Sequence, residues 1–481
     1  MPSVLNLTDP TRPGEIARLN QWIREVVDDL EKPRTTMGRR AASRLVGIGG
    51  GGDTTTIINN TGLDGHPSLF FGTEEKTANV LVTSFIKEQC IGTSPLVGGT
   101  GKYGMAVPLG NIDTNCSGWM ARALIDNAGA GEVALAKNIL DLFAAIQNPD
   151  GSWYAQYNSY TNAAGTGYDF ATTPAGPTPL HASGIPDGTS GDWKTELGVA
   201  SIIFAMADYS LAVSNPALFV TEVRTALSFL RDMQASLGAE FGGAMLANAQ
   251  YDGSFDNVSI TGNSAYCLLA MKRALDAYGT PLTTTTGYDV ETMANDLYTS
   301  IVTFTWAGDP ARYYNCTYPA AMNATSVPIY PFKEKMGWTQ GMTILANYEW
   351  VNSGYLTATS KVYQCELGIE FLLPLNMGQW GGQFYSPYVG LAEETTDEHT
   401  VSACAMLKAM TIVNASKYIN QLNATTGFIR WLAIADGRVY GQVDSDSLLW
   451  RWKSSQQTAV PVVEGYGWWS LPSAMGLLAG A

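Results

Sequence analysis

The chain of 481 residues has few cysteines, few histidines and no long apolar run. Its six cysteines are scattered without a Cys-x-x-Cys pair, and its three histidines are His66, His181 and His399. This pattern argues against a disulfide framework and a dedicated zinc site, so we predict no metal and no cofactor. No stretch reaches about twenty uninterrupted apolar residues, the length that spans a bilayer, so we predict no membrane insertion.

Positive charge is also scarce. The chain has 28 Lys and Arg against 43 Asp and Glu, a net charge of −15. Contacts to nucleic-acid phosphates need clustered cations, so we predict no nucleic-acid partner. The N-terminus, Met1-Pro-Ser-Val-Leu-Asn-Leu-Thr8, lacks the basic start and apolar run of a secretion signal, and none is expected.

What the sequence has in abundance is repetition. A module of about seventy residues recurs six times, and each copy holds an apolar helix, a loop rich in Gly, aromatic and acidic residues, and a second helix of small apolar residues. In the second copy Leu135, Ile139, Leu142 and Ile146 follow the spacing of a helix with one apolar face. The second helices, such as residues 198–207, are apolar on nearly every face, which is typical of full burial.

Twelve helices in six hairpins predict an all-α fold, a closed (α/α)6 toroid over residues 71–481. Further outer helices are expected at about 75–90, 361–377 and 416–432. The inner helices are expected to begin near Ser117, Glu196, Gly262, Met336, Glu398 and Glu464.

The loops after the outer helices share a sequence pattern that begins with Gln and contains Gly. The clearest copy is Gln147-Asn-Pro-Asp-Gly-Ser-Trp153, with echoes at Gln379–Tyr385 and Gln234–Gly243. The Gly stops the helix and the turn leaves Trp153 projecting, either as a wedge between hairpins or toward a ligand.

These elements resemble the six-hairpin glycosidases, the (α/α)6 toroids that include glucoamylase-like and unsaturated glucuronyl hydrolase enzymes. The Gln…Gly-x-Trp element also resembles the QW repeat of squalene-type cyclases. The acid motif of those cyclases, Asp-x-Asp-Asp, is missing, because Asp444-Ser-Asp-Ser447 stops one carboxylate short. Terpene cyclisation is therefore discounted.

Residues 1–70 differ from the toroid. Ile16, Leu19, Ile23, Val26 and Leu30 follow a coiled-coil seam, although one amphipathic helix docked on its own domain fits as well. A Gly-rich hinge and a short extended segment follow. This organisation resembles the virion-proximal ends of bacteriophage tail fibres and tailspikes. The resemblance implies binding to phage tail proteins through residues 1–70, a homotrimer, and a location in the virion tail that acts at the host cell surface.

The inner-helix starts carry the candidate chemistry, because helix N-termini are electropositive and the loops converge there. Glycoside hydrolysis needs one protonated and one ionised carboxyl group. In glucoamylase-like relatives these come from hairpins three and six, which implies Asp256 (or Asp252) with Glu464. Asp397 and Glu398, beside His399, form the densest ionisable cluster.

Further acidic residues lie at these starts, among them Asp113, Asp192, Glu196 and Glu334. Any of these acids also serves as a helix cap without catalysis. Aromatic side chains stack on sugars as well as filling cores. The candidate binding residues are Trp153, Trp193, Trp338, Trp380, Tyr466 and Trp468.

Three hypotheses follow from these observations. The first is a virion-attached protein, similar to a tail fibre or tailspike, that binds bacterial surface polysaccharide and hydrolyses it. The second is a free six-hairpin glycoside hydrolase or polysaccharide lyase. The third is an adhesion fibre without catalytic activity.

Overall fold

The computed structural model describes most of the region between residues 112 and 432. The described residues are 90–91, 103–105, 112–126, 130–157, 159–161, 168–170, 172–173, 176–177, 194–235, 243, 245, 248–249, 258–307, 313–314, 317–319, 337–355, 365–370, 372–373, 377–378, 381–384, 397–432 and 442–444. The predicted N-terminal segment and the predicted inner helix near Glu464 lie outside them. Of the predicted outer helix at 75–90, only Cys90 is described, and it lies in a strand.

The helices alternate between an inner and an outer layer. The inner helices are α1 (Thr114–Asp126), α3 (Glu196–Ala212), α5 (Thr261–Tyr278), α7 (Gly337–Val351) and α9 (Thr400–Asn414). The outer helices are α2 (Ala130–Ala145), α4 (Val220–Ala235), α6 (Val290–Ser300, continued by the π-helical Ile301–Thr305), α8 (365–370 and 372–373) and α10 (Ile419–Leu432).

Each inner helix packs against the next inner helix along the chain. The successive contacts are α1 with α3, α3 with α5, α5 with α7 and α7 with α9, and α1, α3, α5 and α9 also pack on the outer helix that follows them. This is the order of an all-α (α/α)6 toroid, as the sequence predicted. Small residues permit the close approach: a Cβ on Gly118 of α1 would lie 2.7 Å from the backbone of Ser201 in α3.

The inner helices are buried on nearly every face, and α3 shows this most clearly. Its Leu197, Phe204, Leu211 and Ala212 are its residues that are not buried. The outer helices have one solvent-exposed face. In α2, Lys137 and Asp141 form an ion pair at 2.6 Å on this face, while Ile139 and Leu142 are fully buried. None of the described helices is long and apolar enough to cross a bilayer.

Short antiparallel strand pairs lie at the N-terminal end of the inner helices. The strand before an inner helix pairs with a strand that follows the next outer helix, as Asp113 pairs with Gln156. The pairs of this kind are β3 (Ile112–Asp113) with β4 (Gln156–Tyr157), β9 (Lys194–Thr195) with β10 (Asn248–Ala249), β11 (Val258–Ile260) with β14 (Thr317–Pro319), and β16 (Asp397–His399) with β17 (Gln442–Asp444).

The remaining strands lie in the loops or beside these pairs. They are β1 (Cys90–Ile91), β2 (Tyr103–Met105), β5 (Ser159–Thr161), β6 (Tyr168–Phe170), β7 (Thr172–Thr173), β8 (Gly176–Pro177), β12 (Trp306–Ala307), β13 (Tyr313–Tyr314) and β15 (Gln383–Phe384). One boundary of the sequence prediction is corrected here. Glu398 does not start an inner helix, because it pairs with Phe384 and Val443 in β16 and α9 begins at Thr400.

The two ends of the helix layers differ in the length of their connections. At the C-terminal end of the inner helices the links to the outer helices are short, namely 127–129, 213–219, 279–289 and 415–418. At the other end they are long, namely 146–195, 236–260, 306–336 and 374–399. These connections lead to the inner-helix N-termini, where the described strand pairs lie, and we call this end of the barrel the mouth.

The Gln and Gly residues of this loop pattern join successive outer helices. The Nε2 of Gln147 donates to the carbonyl oxygen of Gly151 at 3.0 Å and to that of Glu222 in α4 at 2.9 Å. Gly151 has φ +90°, and a Cβ there would lie 2.0 Å from the Thr225 carbonyl oxygen. The position therefore requires glycine both for its backbone conformation and for its close contact with the next helix.

The next copies repeat this arrangement with one change. The Nε2 of Gln234 donates to the carbonyl oxygens of Gly243 at 2.7 Å and of Met293 in α6 at 3.1 Å. In the later copy Gly381 occupies the position of Gly151, because its N–H donates to Gly378 as that of Gly151 donates to Asn148. This register places Met377, and not Gln379 as the sequence echo suggested, at the position of Gln147.

Candidate functional site

A pair of aromatic residues joins two inner helices inside the barrel, below the mouth. The indole Nε1 of Trp119 on α1 donates to the Tyr266 hydroxyl on α5 at 2.9 Å, and Arg122 donates to the same oxygen at 3.2 Å. Because α3 lies between α1 and α5, side chains that join these two helices cross the barrel on its axial side. The contact of Trp119 with Tyr266, which we call the crossbar, therefore lies on this side of the barrel.

Helix α3 shows which of its faces is open. The partly exposed Leu197, Phe204 and Leu211 are seven residues apart, so they form one stripe along the helix. Phe204 contacts the Tyr266 ring, with centroids 5.6 Å apart, and the Arg122 guanidinium lies 3.5 Å from the Phe204 centroid. The exposed stripe and the crossbar thus lie on the same axial side.

Two amides and a leucine lie one helical turn above the crossbar. Asn115 precedes Trp119 by four residues on α1, and Asn263 precedes Tyr266 by three residues on α5. Residues at these spacings share a helix face, so Asn115 and Asn263 also face the axis. Both are partly exposed, as is Leu197 at the same level of α3. These three residues, Asn115, Leu197 and Asn263, form the part of the mouth that we call the axial platform.

Glu196 lies beside this platform at the first residue of α3. The helix start is fixed by Thr195, whose hydroxyl accepts the Gly198 N–H at 3.0 Å. The side chain of Glu196 is 0% exposed, and neither carboxyl oxygen makes a hydrogen bond within the described residues. On α5 the Cys267 thiol donates to the main-chain oxygen of Glu196 at 3.7 Å. Asn263, one turn before Cys267, lies near the carboxyl without a hydrogen bond of normal geometry.

Burial controls the protonation of Glu196. Loss of water raises the pKa of its carboxyl well above the ordinary value of 4.5, and the nearby Asn263 amide lowers it only in part. The thiol of Cys267 is also buried, and its pKa is raised well above its ordinary range by burial and by the charge of Glu196. The mouth therefore holds a carboxyl group that favours its protonated form.

Unpaired polar atoms recur at the inner-helix starts. Buried polar atoms without a hydrogen-bond partner are rare in proteins, and a bound molecule commonly explains them. Four of the described inner helices have such atoms in their first turn: Asn115 Oδ1, both carboxyl oxygens of Glu196, Thr261 Oγ1, Ser264 Oγ and Thr339 Oγ1. These atoms make the inner-helix starts polar, but they are buried and present no open surface in the structure.

A charged cluster lies below the crossbar. Asp208 on α3 accepts from Arg122 at 2.7 Å and also from Arg273 on α5. Arg122 and Asp208 are buried, whereas the Arg273 side chain is 40% exposed. Because it ties three inner helices together far from their N-termini, this cluster stabilises the barrel and does not belong to the mouth.

Most of the residues predicted for the site lie outside the described residues. These are Asp252, Asp256, Glu464, Trp193, Trp380, Tyr466 and Trp468. Asp397 and Glu398 lie in β16, directly before α9, and Trp338 is the second residue of α7, so all three are at the mouth.

Trp153 has the packing role that its sequence context left open. Its side chain is 1% exposed, its Nε1 donates to the Phe143 carbonyl oxygen at 2.7 Å, and its ring meets Phe143 edge-on. No face of the indole is available to a sugar, because the ring is enclosed by the protein. This geometry corrects its assignment as a binding residue.

Glu196 is one of several acidic residues at predicted helix starts, and the sequence pattern did not distinguish it from the others. Its distinguishing feature is burial against α5, and no local pattern encodes that contact. Asn115 and Asn263 were not singled out. The one available signal was a polar side chain early in an otherwise apolar inner helix.

Three solved structures that share this fold are named as enzymes acting on sugars. Cellobiose 2-epimerase from Bacillus thermoamylovorans B4167 matches with a TM-score of 0.59 at 9% identity, over 84% of this chain and 99% of that chain. A D-mannose isomerase matches with a TM-score of 0.56 at 11% identity, over 84% and 96%. The glycoside hydrolase family 76 mannosidase Bt3792 from Bacteroides thetaiotaomicron VPI-5482 matches with a TM-score of 0.51 at 10% identity, over 84% and 97%.

Sequence comparisons add no family. Neither a protein-family model nor a curated protein matches the chain. At sequence identities of 9–11%, the structural similarities establish the architecture and not the chemistry. The chain is an (α/α)6 toroid.

Proposed function

We propose that the chain binds a carbohydrate at the mouth and cleaves a glycosidic bond there, with Glu196 as the proton donor. The observation that carries this proposal is the fully buried Glu196 carboxyl, which lies beside the partly exposed Asn263 at the start of an inner helix. Because this carboxyl is enclosed in the unliganded protein, it can donate its proton only after the Asn263 side chain moves aside for the sugar. A general acid must hold its proton at the working pH, and burial is a common means to that end. The raised pKa of Glu196 meets this requirement.

The second carboxyl group comes from the opposite side of the ring. In a ring of six inner helices α3, the second, faces α9, the fifth. Asp397 and Glu398 immediately precede α9. One of them is the candidate for the ionised partner that activates water or attacks the sugar. The opposed pair that the sequence suggested, Asp256 or Asp252 with Glu464, remains the alternative.

The structural neighbours support the carbohydrate class. The three enzymes are a cellobiose 2-epimerase, a D-mannose isomerase and a mannosidase. They differ in reaction but share a sugar as substrate. A sugar is therefore the substrate class that we propose for this chain, and the buried Glu196 carboxyl is the basis for the proposed reaction.

The test is a search for new reducing ends. The full chain is incubated with a panel of bacterial surface polysaccharides, and the products are separated by size. Glu196→Gln should lower the rate by about 10²–10⁴-fold, the usual contribution of proton transfer. Glu291→Gln is the matched control, because Glu291 occupies the first turn of outer helix α6, away from the mouth.

Each outcome has a clear meaning. Full activity in Glu196→Gln would reject Glu196 as the acid, and the same test on Asp397→Asn and Glu398→Gln would decide the partner. Binding without cleavage would favour the adhesion hypothesis. A product of unchanged size but changed configuration would favour epimerase chemistry, and an unsaturated product would favour a lyase.

The proposal extends to residues 1–70. The coiled-coil spacing of Ile16, Leu19, Ile23, Val26 and Leu30 supports a trimeric attachment segment that binds phage tail proteins. In that case the polysaccharide belongs to the bacterial host surface, and the protein acts from the virion tail. Light scattering on the full chain and on a version without residues 1–70 tests this, and a full-length monomer would contradict it.

A further inference from the structure

We infer that Asn263 gates Glu196: its side chain encloses the carboxyl in the free protein, and its turning controls when and over which pH range the acid acts. This inference rests on the proposed function and deepens it, because it names the residue that makes the proton of Glu196 available. Asn263 is a positioning residue, since it acts through Glu196.

Two side chains of α5 lie next to Glu196, and they differ in exposure. Cys267 is 0% exposed, and its thiol donates to the main-chain oxygen of Glu196. Asn263, one turn earlier, is partly exposed and lies beside the carboxyl itself. Because the Glu196 side chain is 0% exposed, a side chain that contacts both the carboxyl and solvent separates the two. Of the two neighbours on α5, Asn263 meets this condition.

No hydrogen bond holds the Asn263 amide over the carboxyl. Within the described part of the chain the amide makes none of normal geometry, and its contact with Glu196 leaves both carboxyl oxygens unpaired. Rotation about χ1 of Asn263 therefore breaks no hydrogen bond, and water can pair with the amide once it has turned. The start of α3 is fixed, because the Thr195 hydroxyl accepts the Gly198 N–H at 3.0 Å. The gate is therefore the movement of one side chain against a fixed helix start.

The described groups around Glu196 do not control its charge. On α5 the Cys267 thiol faces it, and the pKa of this thiol is raised well above its ordinary range by burial and by the charge of Glu196. On α1 the methyl group of Thr114 lies beside the first turn of α3 and does not titrate. In the strand before α3, the Lys194 ammonium has an ion-pair partner 2.6 Å away. The protonation of Glu196 is therefore governed by its access to water, which Asn263 limits.

Enclosure keeps the proton on Glu196 until the gate opens. Loss of water raises the pKa of the carboxyl well above the ordinary 4.5, and the nearby Asn263 amide lowers it only in part. When Asn263 turns aside, the carboxyl meets water or the sugar, and its pKa falls toward the ordinary value. An acid gated in this way stays protonated and inert until a substrate occupies the mouth.

The first test measures the access of a reagent to Glu196 and does not depend on activity. The full chain is treated with a water-soluble carbodiimide and an amine, which modify accessible protonated carboxyl groups, and labelling at Glu196 is followed by peptide mass spectrometry. Native Glu196 should be labelled slowly, and Asn263→Ala should raise the labelling rate by about tenfold. Asn263→Leu, which keeps a side chain of similar size over the carboxyl, should remain slow. Asn138→Ala, a partly exposed asparagine on outer helix α2, is the control and should match the native chain.

The second test uses a polysaccharide that the native chain cleaves. The pH at which kcat/KM falls reports the pKa of the acid in the free protein. Asn263→Ala should move this fall to lower pH, because water reaches the carboxyl. Asn263→Leu should move it to higher pH, because the carboxyl stays enclosed and loses the amide that lowers its pKa. A merely structural role of Asn263 would reduce the rate at every pH and leave the profile in place.

The outcomes separate the gate from the proposed function. Rapid labelling of Glu196 in the native chain would overturn the inference, and so would slow labelling in Asn263→Ala with an unchanged melting temperature. Where Asn263→Ala unfolds, Asn263→Ser shortens the side chain with a smaller loss of packing and takes its place. Failure to cleave any polysaccharide, with labelling as expected, would instead reject the proposed function and leave the enclosure of Glu196 intact.

Discussion

The side-chain amide of Gln147 donates to the main-chain oxygen of Glu222, 2.9 Å away, and so joins the end of one outer helix to the start of the next. The same amide donates to Gly151 in its own loop. A single side chain thus ties its own loop to the next outer helix. Gln234 does the same one hairpin later.

Loss of this amide should destabilise the toroid. Gln147→Ala leaves two carbonyl oxygens without their donor, which costs about 1–3 kcal/mol in the free energy of unfolding. Urea denaturation followed by circular dichroism measures the change. Asn138→Ala on the same helix α2 serves as the control. A Gln147→Ala protein as stable as this control would show that water replaces the amide at no cost.

Gly151 should tolerate no side chain. Gly151→Ala combines a positive φ with a Cβ that would lie 2.0 Å from the Thr225 oxygen, so the loop or α4 must shift. We expect a loss of at least about 3 kcal/mol. Gly131→Ala in α2 is the matched control, because nothing lies within 4 Å of its Cβ, and it should stabilise by up to about 1 kcal/mol. Differential scanning fluorimetry would separate the two directions, and similar melting temperatures would contradict the prediction.

The helical layers could be predicted from local patterns, whereas the tertiary contacts could not. The apolar spacing around Leu135 to Ile146 placed an outer helix correctly, and the predicted inner start at Glu196 is the first residue of α3. The similarity of the segment at Gln379 to that at Gln147 suggested the wrong register. In the structure Met377 takes the position of Gln147, and the turn keeps its backbone hydrogen bonds without a side-chain amide. The Gly381 backbone contacts, and not the Gln, define that repeat.

The candidate site depended on contacts between helices that follow different loops. The burial of Glu196 results from α5, whose Cys267 contacts it from 71 residues away in the sequence. The axial orientation of Asn263 became evident only from the bond between Trp119 and Tyr266. The aromatic content of the loops could not separate Trp153, which is enclosed, from a residue that faces a ligand.

The charged cluster below the crossbar should contribute strongly to stability. Asp208→Asn removes the carboxylate that pairs with the buried Arg122, which leaves a guanidinium without its charge partner and costs about 3–5 kcal/mol. Asp141→Asn breaks the more exposed pair with Lys137 and should cost about 0–1 kcal/mol. Guanidinium denaturation at low protein concentration compares them. Equal losses would show that water, or the Tyr266 oxygen that already accepts from Arg122, compensates for the missing Asp208 carboxylate.

The stability of the chain should depend on pH through Glu196. Its pKa in the folded protein is raised above the ordinary 4.5, so as pH rises above that value the unfolded state ionises first. Ionisation of the unfolded state lowers the free energy of unfolding until the folded carboxyl itself loses its proton.

Glu196→Gln removes this dependence while keeping the shape of the side chain. The variant should therefore gain stability relative to the native chain from about pH 4.5 up to the pH at which the folded carboxyl ionises, with a slope of up to about 1.4 kcal/mol per pH unit. Urea titrations at several pH values measure the difference. A constant difference across this interval would mean that the carboxyl ionises equally in both states.

The unequal connections at the two ends of the helices have a consequence for divergence. The long connections 146–195 and 306–336 can absorb insertions or deletions, whereas brief links such as 127–129 leave little slack for change. Descendants of this chain can therefore diverge at one end, while the opposite end preserves the ring of helices that supports it.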